Sequence, residues 1–165
     1  MMEIKIENEI KKILQDTLID ETNKTPKTKV WKGGIWESGY WIDGIWENGL
    51  WEFGTWYDGI WKNGTWEFGT WYRGIWHNGI WNSGGWENGI WKNGFWKDGV
   101  WELGTWEDGI WTDGIWDDGL WKNGVWKKGC WRGGKIWNPH TEQYENCDVN
   151  PNECEWSLSY HRSKK

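Results

Sequence analysis

Three cysteines, three histidines and a dense set of carboxylates are the residues of this chain best suited to chemistry. Cys147 and Cys154 lie near His140 and His161, and thiolate with imidazole is a donor set that zinc accepts. Six residues separate the two cysteines, however, whereas a zinc-binding pair is usually spaced by about two to four. Unbonded cysteines in a terminal cap are therefore expected, with closure of one loop by a disulfide as the other reading. Between them, "DVNPNE" offers oxygens for calcium without the ligand spacing of an EF-hand, and is read as a turn. His77, the only histidine between residues 31 and 134, has no neighbouring Cys or Ser to activate. It is expected to be an exposed residue like Lys62 and Lys92. No phosphate-binding G-x-x-x-x-G-K-[ST] loop occurs. Asp98 to Asp118 holds seven carboxylates and no Lys or Arg, a pattern that more often marks a solvated face than an acid/base pair. The expectation is a non-enzyme with no cofactor and no catalytic or metal site.

The elements that carry these residues are set by a five-residue repeat, visible in "WENGIWKNGFW" at 86–96. The unit W-x-x-G-x runs from Trp31 through Trp131 without interruption, giving twenty-one units whose glycines extend from Gly34 to Gly134. A core built from one side-chain shape implies a one-dimensional stack in which each unit packs on its neighbours. The third position is Asn or Asp in twelve units, residues that tolerate left-handed backbone and precede Gly, so a turn is expected in every unit. The fifth is Ile, Val or Thr in fourteen, which suits a short strand. Glycine at this density excludes helix. A meander would make alternate units equivalent. Among positions two, three and five, identities number 7 of 57 at ten residues, 14 of 54 at fifteen and 6 of 51 at twenty. The meander is disfavoured, and a β-solenoid whose coil repeats after three units is kept open.

This period resembles the tandem pentapeptide-repeat family, whose unit places a small residue two positions before a central Leu or Phe. Gly34 before Trp36, and so on through Gly129 before Trp131, occupy those positions. The resemblance implies a four-sided right-handed β-helix in which glycine makes room for indole. On that ground the expected fold is all-β: a pentapeptide β-solenoid, four-sided in preference to three-sided, with a short N-terminal helix. Position two is Asp, Glu, Lys or Arg in fifteen units. So many charges must face water, which turns Trp inward.

The organisation expected is an amphipathic helix at 1–21, a linker at 22–30, the solenoid at 31–134 and a C-terminal cap with a basic tail at 135–165. Ile6, Ile10, Ile13 and Leu18 share one helical face, suited to capping a solenoid end or to oligomerisation. No apolar signal region follows Met1 and no run is long enough to span a membrane. Net charge is −6, and opposite charges are interspersed over much of the array, which argues against direct nucleic-acid binding. The function expected is a rigid rod that binds a protein partner or self-associates. On a three-sided coil, Ile45, Ile60, Ile75 and Ile90 would align as an outward apolar row. The alternative is a glycan or cell-wall binder, because "GTWYDG" and "GTWYRG" resemble choline-binding repeats, although those are longer and contain hairpins. DNA mimicry directed at a topoisomerase, known in the pentapeptide family, is less favoured because the charges are mixed.

Overall fold

In the computed structural model, residues 29–163 are described. The helix expected at 1–21, with Ile6, Ile10, Ile13 and Leu18, lies outside them. Within the array every unit contributes one two-residue strand: β1 (Val30–Trp31), β2 (Ile35–Trp36), β3 (Tyr40–Trp41) and so on every five residues to β21 (Cys130–Trp131). Each strand pairs in parallel with the third strand before and after it, so that Ile45 faces Ile60 and Ile60 faces Ile75. This generates three parallel sheets. The chain is a β-solenoid of about seven turns.

Because register partners are fifteen residues apart on three sheets, the coil is three-sided, which corrects the four-sided preference. The reason lies in the interior. Successive indoles meet edge to face, with centroids 5.5–6.1 Å apart and planes at 69–81°. Residues fifteen apart stack at 4.7–5.3 Å, 3–10° from parallel. Three flat rings in this arrangement fill a triangular section, and the offset stack along the axis matches the spacing of β-strands. Trp41 through Trp121 are completely buried, and Trp126 is 2% exposed. The inward orientation expected from position two is what the structure has.

Hydrogen bonding explains the rest of the unit. The N–H of Ile60 donates to the carbonyl of Gly44 at 2.8 Å and that of Lys62 to the carbonyl of Trp46 at 2.7 Å, and this pair of bonds recurs from coil to coil. The turn expected in every unit is there, and at the corner only glycine takes positive φ, from +106° to +141°; the preceding Asn or Asp, which tolerates left-handed backbone, does not use it. Its role is to accept. Oδ1 of Asp43, Asp58, Asn88 and five further residues of this column type takes the following Gly N–H at 2.6–2.8 Å. This satisfies a corner amide that the parallel ladder leaves free.

Glycine also does more than make room for indole. A Cβ on Gly74 would lie 2.4 Å from the carbonyl oxygen of Gly59, and one on Gly54 2.2 Å from that of Gly39. Indole atoms lie farther off than the nearest carbonyl oxygen, at 3.3 Å for Gly109 and 3.0 Å for Gly124. The primary constraint is therefore backbone against backbone between coils.

After Trp131 the chain closes the stack. Strand β22 (Lys135–Asn138) pairs with Leu120–Trp121 and turns back into antiparallel β23 (Gln143–Asn146). Ile136, fully buried, takes the place of an indole below Trp121. The "DVNPNE" segment is a turn in which Glu153 N–H donates to the Asn150 carbonyl at 2.9 Å. Helix α1 (Leu158–Ser163) follows. Its Ser159 hydroxyl accepts from the Trp121 indole at 3.1 Å and donates to the Gly124 carbonyl at 2.7 Å.

Candidate functional site

Among the described residues the interior is filled by indoles. Eighteen indole N–H groups, Trp31 through Trp116, have no nitrogen or oxygen acceptor. Leaving so many buried donors unpaired would be costly, and the edge-to-face packing offers ring faces as their nearest polarisable partners. Conventional acceptors return only at the C-terminal end, where Trp121 meets Ser159 and Trp131 donates to the Cys147 carbonyl at 2.9 Å. At the opposite end the Lys29 ammonium lies 4.7 Å from the Trp41 ring centroid, and burial lowers its pKa.

Among the described residues no group of His, Cys, Asp and Glu is placed to hold a metal ion. Cys147 and Cys154 are buried free thiols, whereas the free thiol of Cys130 is exposed. Burial, then the hydrogen bond to Cys147, pushes the Cys154 thiol up to about 12. His77 is exposed, as its place in the repeat suggests.

The outward surface is organised in columns, each made of residues fifteen apart. Ile45, Ile60, Ile75 and Ile90 do form one continuous row on the first face. The first three are half-buried and Ile90 is 36% exposed. Beside the row, Lys62 pairs with Glu47 at 3.5 Å and Lys92 with Glu107 at 3.3 Å. Asn63 approaches Asn48 at 3.5 Å in the adjoining column.

No family model, curated protein or solved structure matches this chain. What its surface can do has to be read from its own columns.

The same register reorganises the charges. The acidic block at 98–118 is met one coil later by a basic one: Lys128 reaches Asp113 at 2.7 Å and Arg132 reaches Asp117 at 2.8 Å. The Lys128 hydrogen bond, followed by that of the Gly114 N–H, holds the Asp113 carboxyl below the usual range, and Asp113 in turn raises Lys128. By contrast Glu87 and Glu102 stand in one column, and burial together with the Glu102 charge raises the pKa of Glu87.

Two aromatic columns were not singled out as sites by sequence reasoning. Phe53 and Phe68, 53% and 51% exposed, stack at 5.8 Å. Tyr57 and Tyr72 stack at 5.1 Å, with Tyr40 6.2 Å from Tyr57. Burial raises the pKa of Tyr57, with Tyr72 the next cause. Ile42, Tyr57, Tyr72, Arg73 and Asn88 line an open groove of about 590 Å³. The signal available in the sequence was "WEFGTWY" recurring after fifteen residues. It fixes the coil length, but its surface meaning requires knowing which positions point outward.

Proposed function

We propose that this protein is a non-catalytic rod that works by presenting rigid, in-register surface columns to another protein or to further copies of itself. The observation that carries this reading is the unbroken Ile45–Ile60–Ile75–Ile90 row. An apolar strip bordered along one side by the Glu47–Lys62 and Lys92–Glu107 pairs is in keeping with an association surface that sets apolar residues beside polar ones. The indole core supports the mechanical side of the proposal, since every coil is held by stacking and hydrogen bonding to the next. The five-residue period and the solenoid support kinship with the tandem pentapeptide-repeat family, while the three-sided coil argues for a divergent form.

The alternatives are less well supported. Glycan recognition by aromatic ladders uses open ring faces, but Tyr57 and Tyr72 lie 3° from parallel and cover each other. DNA mimicry needs an uncompensated acidic surface, and the acidic block at 98–118 is partly neutralised by Lys128 and Arg132. The test is Ile60→Lys together with Ile75→Lys. Sedimentation should show reduced self-association, or a partner pull-down should lose its partner, with the circular dichroism spectrum unchanged. Association that persists on an intact fold would overturn the role of the row.

A further inference from the structure

The third face carries a different surface near the N-terminal end of the solenoid. Its floor is made by Thr55 and Thr70 in register and then Gly85, where an added Cβ would meet nothing within 4 Å, and Tyr40, in register with Thr55, bounds it at one end. Phe53 and Phe68 precede the floor residues at one corner, and Tyr57 and Tyr72 follow them at the other. Both pairs are stacked along the axis. The result is a shallow trough parallel to the solenoid, with small residues below and aromatic rails on either side. The rails are four residues apart on an extended chain, so they are separated by at most about 13 Å. One extended polypeptide segment fits that width.

Charge says what kind of segment. Residues 36–72 contain six carboxylates against the single cation Lys62. Lys62 is held by Glu47, and Asp58 is neutralised by Arg73 at 2.9 Å. Glu37, Glu52 and Glu67 form a column beside the Phe rail, and no Lys or Arg among the described residues pairs with them. Glu87 and Glu102 continue the Tyr column in the same unpaired condition. Like charges stacked at strand spacing destabilise the free rod and would be relieved by a cationic ligand.

We infer that this trough docks a basic, extended segment of a protein partner, with Lys or Arg stems lying on the aromatic rails and their cationic heads meeting the unpaired glutamates. Long basic side chains suit both parts of the surface, because their methylene stems are apolar while their heads are charged. The stacked rings expose edges along the trough, which favours aliphatic packing over sugar stacking. This inference shares the view that the rod acts by binding, but it uses a different face from the isoleucine row.

The experiment uses the full chain and a fluorescent ten-residue peptide alternating Lys and Thr, with a Glu/Thr peptide and a neutral cello-oligosaccharide as comparators. Anisotropy should show binding of the Lys peptide alone, weakening as salt is raised. Phe53→Ser with Phe68→Ser, and separately Glu52→Gln with Glu67→Gln, should each weaken it at least tenfold. Ile60→Lys with Ile75→Lys should leave it unchanged, which separates failure of this trough from failure of the first-face row. Circular dichroism confirms that the exposed substitutions keep the fold. Lack of binding by the Lys peptide, equal binding of both peptides, insensitivity to either trough variant, or displacement by the oligosaccharide would each overturn the assignment.

Discussion

Replacing Gly74 by Ala should be far more damaging than the same change at Gly34, and at Gly85 it should do no harm. Gly74 has φ of +125°, and its new Cβ would sit 2.4 Å from the Gly59 carbonyl oxygen, where 3.4 Å or more is ordinary contact. That oxygen also accepts the Ile75 N–H at 2.9 Å. The substitution thus adds backbone strain of about 1–3 kcal/mol to displacement of a buried hydrogen bond worth about 1–3 kcal/mol. A total of about 2–6 kcal/mol is expected. Gly34 has φ of +106°, but its Cβ would meet only Trp31 Cζ2 at 3.7 Å, leaving the strain of about 1–3 kcal/mol alone. Gly85 lies in a strand without positive φ and with open space beside it. Alanine there should stabilise by about 0.4–1 kcal/mol through the unfolded chain. Urea unfolding followed by Trp fluorescence, with the slope checked for constancy, measures all three. Equal losses at Gly74 and Gly34 within about 0.5 kcal/mol would refute coil-to-coil backbone contact as the reason for glycine.

Trp71→Ala should cost about 3–5 kcal/mol as a large-to-small change in a close-packed core, and a loss below about 1 kcal/mol in the same urea assay would mean that the indole stack relaxes around the gap. Ser159→Ala should destabilise by about 1–3 kcal/mol because the Trp121 indole and Gly124 carbonyl lose their shared hydroxyl, checked by thermal unfolding against wild type. At pH 8, iodoacetamide should modify exposed Cys130 in the native protein while buried Cys154, with its thiol pushed up to about 12, reacts only after unfolding. Mass spectrometry reads the adducts, and native Cys154 reacting as fast as Cys130 would refute its burial. The depressed Asp113 carboxyl contributes stability that is present above its unfolded pKa and is lost as pH falls through the lower folded value. NMR titration should show Lys128→Ala moving the Asp113 midpoint upward, since the Lys128 hydrogen bond is the largest cause of the depression.

The period, the strand positions and the inward face were legible because each follows from chemistry inside one unit: Ile60–Trp61 forms a strand, Lys62 must meet water and Gly64 must turn. The number of sides was harder. It depends on how three indoles such as Trp61, Trp66 and Trp71 share a cross-section, an edge-to-face arrangement that no local propensity encodes. The fifteen-residue correlation did record it, through Asn48, Asn63, Asn78 and Asn93, while the family resemblance pointed to four sides. Asparagine and aspartate were assigned to the correct corner for an incomplete reason. Both can enter the left-handed region, but here the following glycine does so and the side chain accepts its N–H. The C-terminal helix was missed because "LSYHRS" has too few apolar positions to show a period, and the Ser159 hydroxyl that ties it to Trp121 is a contact across 38 residues of sequence.

A coil of fifteen residues also changes what a surface site means in this chain. Within the array, residues fifteen apart in sequence stand directly beside each other, so a local run such as the acidic 98–118 segment says little about local potential. Asp113 and Asp117 look uncompensated along the chain, yet Lys128 and Arg132 stand beside them in the next coil. Glu52 and Glu67 look well mixed with other residues, yet they fall in the same column and, among the described residues, no Lys or Arg pairs with them. Because the Trp and Gly positions are the constant ones in the stack, the outward columns at positions two and five can vary on the same frame, as the change from Tyr72 to Glu87 at one surface position illustrates. On the function proposed above, recognition would be written as short vertical words on a fixed frame. A partner that reads the Phe53–Phe68 and Glu52–Glu67 columns must span at least two coils, about 5 Å apart. Single-residue surface changes should accordingly weaken its binding less than paired changes fifteen residues apart.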